Sequence, residues 1–89
     1  MHVQFIRNIQ FTRVLKAEGR MREFNFRKPN GQHEGIFTVD VSDDRGNRIV
    51  FKMTKEESGW KIVPQQLPSW IIENENVFNE LIIEEMRNA

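Results

Sequence analysis

Apolar and polar residues alternate along three central segments of the chain, which is typical of strands with one buried face. The apolar members of these segments are Phe24, Phe26, Phe37, Val39, Val41, Ile49, Phe51 and Met53. A shorter fourth segment places Trp60 and Ile62 on one side in the same way. The four segments predict strands at about 21–27, 36–42, 48–54 and 60–63.

The connection between the second and third of these segments sets their pairing. The run Asp43 to Asn47 predicts a three-residue hairpin loop with Gly46 in the left-handed conformation. If Asp43 faces Asn47, all six apolar residues of the two strands share one face. The resulting opposed pairs are Val41 with Ile49, Val39 with Phe51, and Phe37 with Met53.

The two neighbouring connections predict the same buried face. A turn that places Thr54 opposite Gly59 brings Met53 against Trp60 and Phe51 against Ile62. Upstream, the turn signal at 29–31 allows two more apolar pairs, Phe26 with Phe37 and Phe24 with Val39. A slip of one residue in any connection would move an entire apolar set to the other face. The agreement of all three connections therefore predicts an antiparallel meander.

The N-terminal segment predicts a strand at about 3–14 that is bent or broken near Asn8. Val3, Phe5, Ile9 and Phe11 alternate, but Arg7 and Arg13 share their parity. The turn into the next strand is predicted at 18–20. This apolar surface exceeds what one helix can cover, and the small chain has no disulfide to stabilise it, so we expect a homodimer.

After Pro64 the apolar period changes from two to that of a helix. It predicts an amphipathic helix at about 68–87, as one rod or as two pieces divided near 74, with its acidic residues opposite the apolar stripe. Pro68 suits the first helical turn, and Asn74 or Asn76 could cap a second piece. We therefore predict one domain over 1–89, of α+β class: a meander of four to five strands with one face covered by a C-terminal amphipathic helix.

Composition excludes several classes of protein. Of the 89 residues, 38% are hydrophobic and 29% are charged, an ordinary globular mixture. No apolar run exceeds three residues, and the N-terminus lacks the apolar stretch of a secretory signal. Without cysteine there is no disulfide, thiolate zinc site or thiol nucleophile. We therefore expect a cytoplasmic protein that does not cross a membrane.

The sequence contains no strong catalytic or metal-binding motif. His2 and His33 lack partners at metal-ligand or triad spacing. The run that begins at Asp40 starts like a calcium loop, but Phe51 occupies the position that needs a bidentate glutamate. Glu23 with Asp40 could form a carboxylate pair on the polar face of the sheet. We predict a protein that is not an enzyme and has no metal or cofactor.

Charge is unevenly distributed although the total is zero. Residues 1–35 carry seven basic and three acidic residues, whereas residues 67–89 carry five acidic residues and one basic residue. The acidic end could neutralise the basic end, within one subunit or across a dimer, or the basic end could meet an external polyanion.

The polar face of the meander provides the alternative function. Candidate contacts to an anion or nucleic acid are Arg27, Arg48, Lys52 and Lys61. In outline, a meander closed by a helix is similar to the purine-rich-element-binding repeats and to the Whirly-type single-strand binders. Such platforms stack bases on exposed aromatic residues, whereas the aromatic residues of the predicted strands face the apolar side. The sequence favours a small, non-enzymatic, homodimeric protein–protein interaction or accessory module, with single-stranded nucleic-acid binding as the alternative.

Overall fold

A computed structural model describes residues 9–28 and 35–88, and it confirms an α+β fold. Five antiparallel strands form one curled sheet in chain order, β1 to β5, followed by two helices. The elements are β1 Ile9–Ala17, β2 Arg20–Lys28, β3 Ile36–Ser42, β4 Arg48–Glu56, β5 Gly59–Ile62, α1 Ser69–Ile72 and α2 Glu75–Asn88. Both histidines, the 29–31 turn and the start of the N-terminal strand with its predicted bend lie outside the described residues. Neither described helix is long and apolar enough to cross a membrane.

The large apolar side chains of the strands share one side of the sheet, as the alternation predicts. We call this side the inner face; its buried members are Phe11, Ala17, Phe24, Phe26, Phe37, Val39, Val41, Phe51, Met53 and Trp60. The opposite side is the outer face; its members include Thr12, Val14, Lys16, Met21, Glu23, Asn25, Arg27, Thr38, Asp40, Arg48, Val50 and Lys52. The inner face packs against Trp70 and Ile71 of α1 and Phe78 and Ile82 of α2, which are also buried.

The hairpin between β3 and β4 has the predicted geometry. Val39 lies opposite Phe51, and the two flanking apolar pairs keep the same register. Gly46 has a φ of 80°, and the backbone N–H of Asp43 donates to the Asn47 carbonyl oxygen at 2.8 Å. The three-residue loop and its left-handed glycine are therefore confirmed.

Two predicted registers are wrong by two residues. Phe26 faces Val39 rather than Phe37, and Met53 faces Ile62 rather than Trp60. At the second site, Glu56 pairs with Gly59, so only two residues form the turn. A shift of two positions keeps every side chain on its face, so hydrophobic patterning alone does not exclude it.

The hairpin between β1 and β2 is longer and tighter than predicted. β1 continues to Ala17 instead of ending near residue 14, and Ala17 pairs with Arg20. Glu18 and Gly19 form the turn, with φ values of 52° and 73°. Two successive positive φ angles are those of a type I′ turn, whose twist matches a strand pair and so permits nine consecutive residue pairs.

The C-terminal helix is divided near residue 74, one of the two predicted forms. The Asn74 side-chain amide donates to the Trp70 carbonyl oxygen at 2.7 Å, so it closes the end of α1. From α2, the Phe78 ring lies 5.0 Å from that of Phe24 and 5.8 Å from that of Phe51, measured between centroids. Phe78 thus fills the centre of the inner face.

The residue pattern of α2 differs from the simple amphipathic arrangement. Two of its acidic residues, Glu75 and Glu85, bond to the sheet, where the pattern placed acids on the opposite side of the helix. Val77, Ile83 and Met86 are each at least 38% exposed. The helix therefore buries Phe78 and Ile82 but also presents apolar side chains to solvent.

Candidate interaction surfaces

The four sequence-predicted contact residues are distributed over three strands. Arg27 lies on β2, Arg48 and Lys52 on β4, and Lys61 on β5. Arg27 faces Thr38, which in turn faces Lys52 on the next strand. Arg27 and Lys52 therefore lie in one row of the outer face, about 10 Å apart at the usual strand spacing.

Two of these four cations have carboxylate partners within the fold. The Arg48 guanidinium lies 3.1 Å from the Asp40 carboxylate, and the Lys61 ammonium lies 3.8 Å from that of Glu75. Within the part of the chain that the structure describes, the other two cations have no ion-pair partner. The structure thus presents an open pair of positive charges rather than a group of four.

Aromatic side chains are not available for base stacking on the outer face of the described sheet. All eight aromatic residues in 9–28 and 35–88 are at most 8% exposed. They are Phe11, Phe24, Phe26, Phe37, Phe51, Trp60, Trp70 and Phe78. An outer face without exposed rings lacks the platform on which proteins usually stack single-stranded bases.

The outer face instead exposes aliphatic and thioether side chains. Val14, Met21 and Val50 are 54%, 66% and 51% exposed. Val14 faces Glu23 across the β1–β2 ladder, so Met21 is its diagonal neighbour, within reach of a long side chain. Val14 and Met21 therefore form a small apolar patch beside the edge of the sheet.

The β5 edge of the sheet is closed by two side chains from α2. The backbone N–H of Trp60 donates to Asn79 Oδ1 at 2.7 Å, and that of Ile62 donates to Glu75 Oε2 at 2.8 Å. These donors would otherwise be available to a strand from another molecule. The helix therefore blocks strand addition at this edge.

The β1 edge is a nine-residue strand, and among the described residues β1 pairs only with β2. Ala17 and Arg20 close a two-residue turn, so the odd-numbered residues of β1 exchange hydrogen bonds with β2. The even-numbered residues then direct their N–H and C=O groups away from the sheet. They are Gln10, Thr12, Val14 and Lys16. The strand contains neither proline nor glycine and pairs without a bulge.

A cleft opens where β2 diverges from β3. The ladder between these strands extends only over three pairs and ends at Asn25 with Asp40. Beyond this point a cleft of about 420 Å³ separates the two strands. Its lining includes Arg20, Met21, Arg22, Glu23, Asn25, Asp40, Ser42, Asp43 and Asp44.

Arg22 holds the rim of this cleft from the inner face. Its side chain is 5% exposed, and its Nε donates to the Ala17 carbonyl oxygen at 3.1 Å. One terminal nitrogen bonds the Asp44 carboxylate at 3.0 Å, and the guanidinium carbon lies 4.0 Å from the centroid of the Trp70 ring. Arg22 therefore ties β1, the β3–β4 loop and α1 to β2.

Sequence reasoning assigned no role to the inner-face arginines, although their alternation with the apolar residues indicated their position. Arg22 shares the parity of Phe24 and Phe26, and Arg13 shares that of Phe11. Arg13 bonds the carboxylate of Glu85 on α2. This contact joins the basic N-terminal part of the chain to the acidic C-terminal part within one subunit, as the first interpretation of the charge distribution expects.

One member of the candidate carboxylate pair, Asp40, is engaged in the fold. Glu23 and Asp40 both line the cleft, but one Asp40 oxygen accepts a bond from Asn25 at 3.0 Å and faces Arg48. The described residues contain no group of three or more histidine, cysteine, aspartate or glutamate side chains that could hold a metal ion.

The carboxylate of Asp43 accepts hydrogen bonds within the β3–β4 hairpin loop. Hydrogen bonds from the backbone N–H groups of Asn47 and Arg45 hold the pKa of this carboxyl below its usual value.

Comparison with known proteins identifies no relative of this chain. No protein-family model, curated protein or solved structure matches it.

Proposed function

We propose that the protein is a cytoplasmic, non-enzymatic module that acts through protein–protein contacts and forms a homodimer. The observation that carries this proposal is the outer edge of β1, which no second strand among the described residues covers and beside which Val14 and Met21 are exposed. A regular nine-residue strand edge offers a row of backbone donors and acceptors to another strand. The contrast with the closed β5 edge supports a specific role for β1.

The exposed apolar patch supports the same function. A partner that removes side chains such as Val14 and Met21 from water lowers the free energy by about 25 cal/mol for each Å² of apolar surface buried. The outer face also places both signs of charge beside this patch, because Glu23 lies opposite Val14 and Lys16 lies opposite Met21. A mixed polar surface beside an apolar centre is the usual composition of a protein interface.

The test is the oligomeric state of the full chain, measured by sedimentation velocity from about 1 to 200 μM. The wild-type chain and the Val50→Lys variant should sediment as dimers, whereas Val14→Lys should sediment as a monomer. Val50 is the matched control because it is equally exposed on the same face but lies on β4, away from both edges. Circular dichroism checks that both variants fold. A wild-type monomer throughout the range would refute the homodimer.

Single-stranded nucleic-acid binding is the second candidate, and the open charge pair of Arg27 and Lys52 favours it. Two cations in one row could contact successive phosphates. Such binding weakens as the salt concentration rises, because the counterions that the protein displaces from the nucleic acid then gain less entropy. Fluorescence anisotropy with single-stranded DNA and RNA from 20 to 300 mM salt tests it. Binding that falls with salt and weakens in Arg27→Gln with Lys52→Gln would support this function; no binding at 20 mM salt would exclude it.

A further inference from the structure

We infer that a second copy of this chain pairs its β1 strand antiparallel to β1, with the two-fold axis at Val14. This inference rests on the proposed homodimer and assigns its interface. The two sheets would then join into one ten-stranded sheet. The occupant is a second copy because the edge is self-complementary in hydrogen bonding, charge and apolar surface, as the following steps show.

Hydrogen bonding restricts the possible registers. Only the even-numbered residues of β1 direct their backbone groups outward, so even residues of one copy must face even residues of the other. The axis can then lie at Thr12, Arg13 or Val14 near the middle of the strand. An axis at Val14 gives three such pairs, Val14 with itself and Thr12 with Lys16 twice. At two bonds for each pair, this makes about six N–H···O bonds.

Charge disfavours the axis at Arg13. Such a register sets Arg13 directly opposite Arg13 of the second copy, at the short Cα spacing of about 4.5 Å, where like charges repel. With the axis at Val14, Arg13 faces Leu15 and Lys16 faces Thr12. Every charged residue of β1 then faces a neutral one.

Apolar burial favours the axis at Val14 over the axis at Thr12. An axis at Thr12 places the exposed Val14 opposite the polar Gln10. An axis at Val14 brings the two valines together, and Met21 of each copy lies diagonally beside its own Val14. The four side chains then form one apolar cluster on the outer face across the junction, and the two valines remove part of each other's surface from water.

The test uses single cysteines, because the natural chain contains none. In the proposed register the two Val14 Cα atoms are about 5.5 Å apart, within the usual range for a disulfide. Val14→Cys should therefore form a covalent dimer under mild oxidation at least about ten-fold faster than Val50→Cys, the matched exposed control. Thr12→Cys alone should not cross-link, because Thr12 faces Lys16 of the second copy and Thr12 of that copy lies four residues further along the strand. A mixture of Thr12→Cys with Lys16→Cys should cross-link.

The outcomes separate this inference from the proposed function. Rapid cross-linking of Thr12→Cys alone, with Val14→Cys no faster than Val50→Cys, would overturn the register. A wild-type dimer in which none of the β1 cysteines cross-links would overturn the β1 interface and leave the homodimer standing on another surface. A wild-type chain that stays monomeric, together with β1 cysteine variants that fail to cross-link, would overturn both.

Discussion

The side chain of Asn79 closes the β5 edge, and its removal should cost measurable stability. In Asn79→Ala the backbone N–H of Trp60 loses its acceptor at 2.7 Å, in a residue that is 3% exposed. A buried donor left without a partner costs about 1–3 kcal/mol. Alanine is the better helix former by about 0.5 kcal/mol, which offsets part of this loss. We expect a net destabilisation of about 0.5–2.5 kcal/mol.

Gly59 provides the second arm of a double-mutant cycle. Its φ is 128°, and a Cβ atom there would lie 2.6 Å from Asn79 Oδ1. Gly59→Ala should therefore cost about 1–3 kcal/mol from backbone strain, with a steric clash in addition. When Asn79 is also alanine the clash is absent. The double variant should then lose less free energy of unfolding than the sum of the two single losses, by about 1 kcal/mol or more.

Urea unfolding, followed by the fluorescence of the two tryptophans, measures these free energies. Asn79→Asp is the control, because it keeps an oxygen in the position that accepts the Trp60 N–H, and we expect it to be more stable than Asn79→Ala. Losses that add to within about 0.3 kcal/mol would refute the steric coupling. An Asn79→Ala variant as stable as wild type would refute the role of the hydrogen bond.

Three further predictions concern the core and the hairpin loop. Phe78→Ala should lower the free energy of unfolding by about 3–5 kcal/mol in urea, and a loss below 1 kcal/mol would contradict the central position of this ring. Arg22→Lys should lower the free energy of unfolding by about 1–3 kcal/mol, because it loses the stacking on the Trp70 ring and the directional guanidinium bonds. Asp44→Asn should cost less, since the Asp44 carboxylate is 54% exposed. The reverse order would contradict the role of Arg22 at the cleft rim. Because the folded state lowers the pKa of Asp43, its charged form stabilises the fold above the unfolded pKa, and this stabilisation is lost as the pH falls below about 4. Urea unfolding from pH 7 to pH 3 should therefore show the advantage of wild type over Asp43→Asn shrinking with pH, and a constant advantage would contradict the assignment.

Much of the fold could be predicted because strand faces follow directly from side-chain alternation. Alternation of apolar and polar residues predicts the face of Phe37, Phe51 and Trp60. The β3–β4 register follows from a hairpin loop that requires a positive φ, which Gly46 adopts. The two wrong registers arose where loop length was uncertain. At the second site Gly59, with its φ of 128°, ends a two-residue turn that the sequence did not distinguish from a four-residue one.

The candidate surfaces were harder to predict, since they depend on neighbours as well as faces. Parity places Arg48 on the outer face, but only the structure shows that Asp40 engages it. The β1 edge required three facts together: the strand order, the length of β1, and the closing pair of Ala17 with Arg20. The last of these decides which backbone groups point outward, and hydrophobic patterning carries no information about it.

The closure of β5 by Asn79 and Glu75 also limits how large an assembly can grow. If two copies join through β1, both outer ends of the combined sheet are β5 strands whose donors are already occupied. A third copy finds no free ladder, so strand addition terminates at two subunits instead of propagating into a fibre. The same two helix side chains that complete the subunit would thus make its assembly finite.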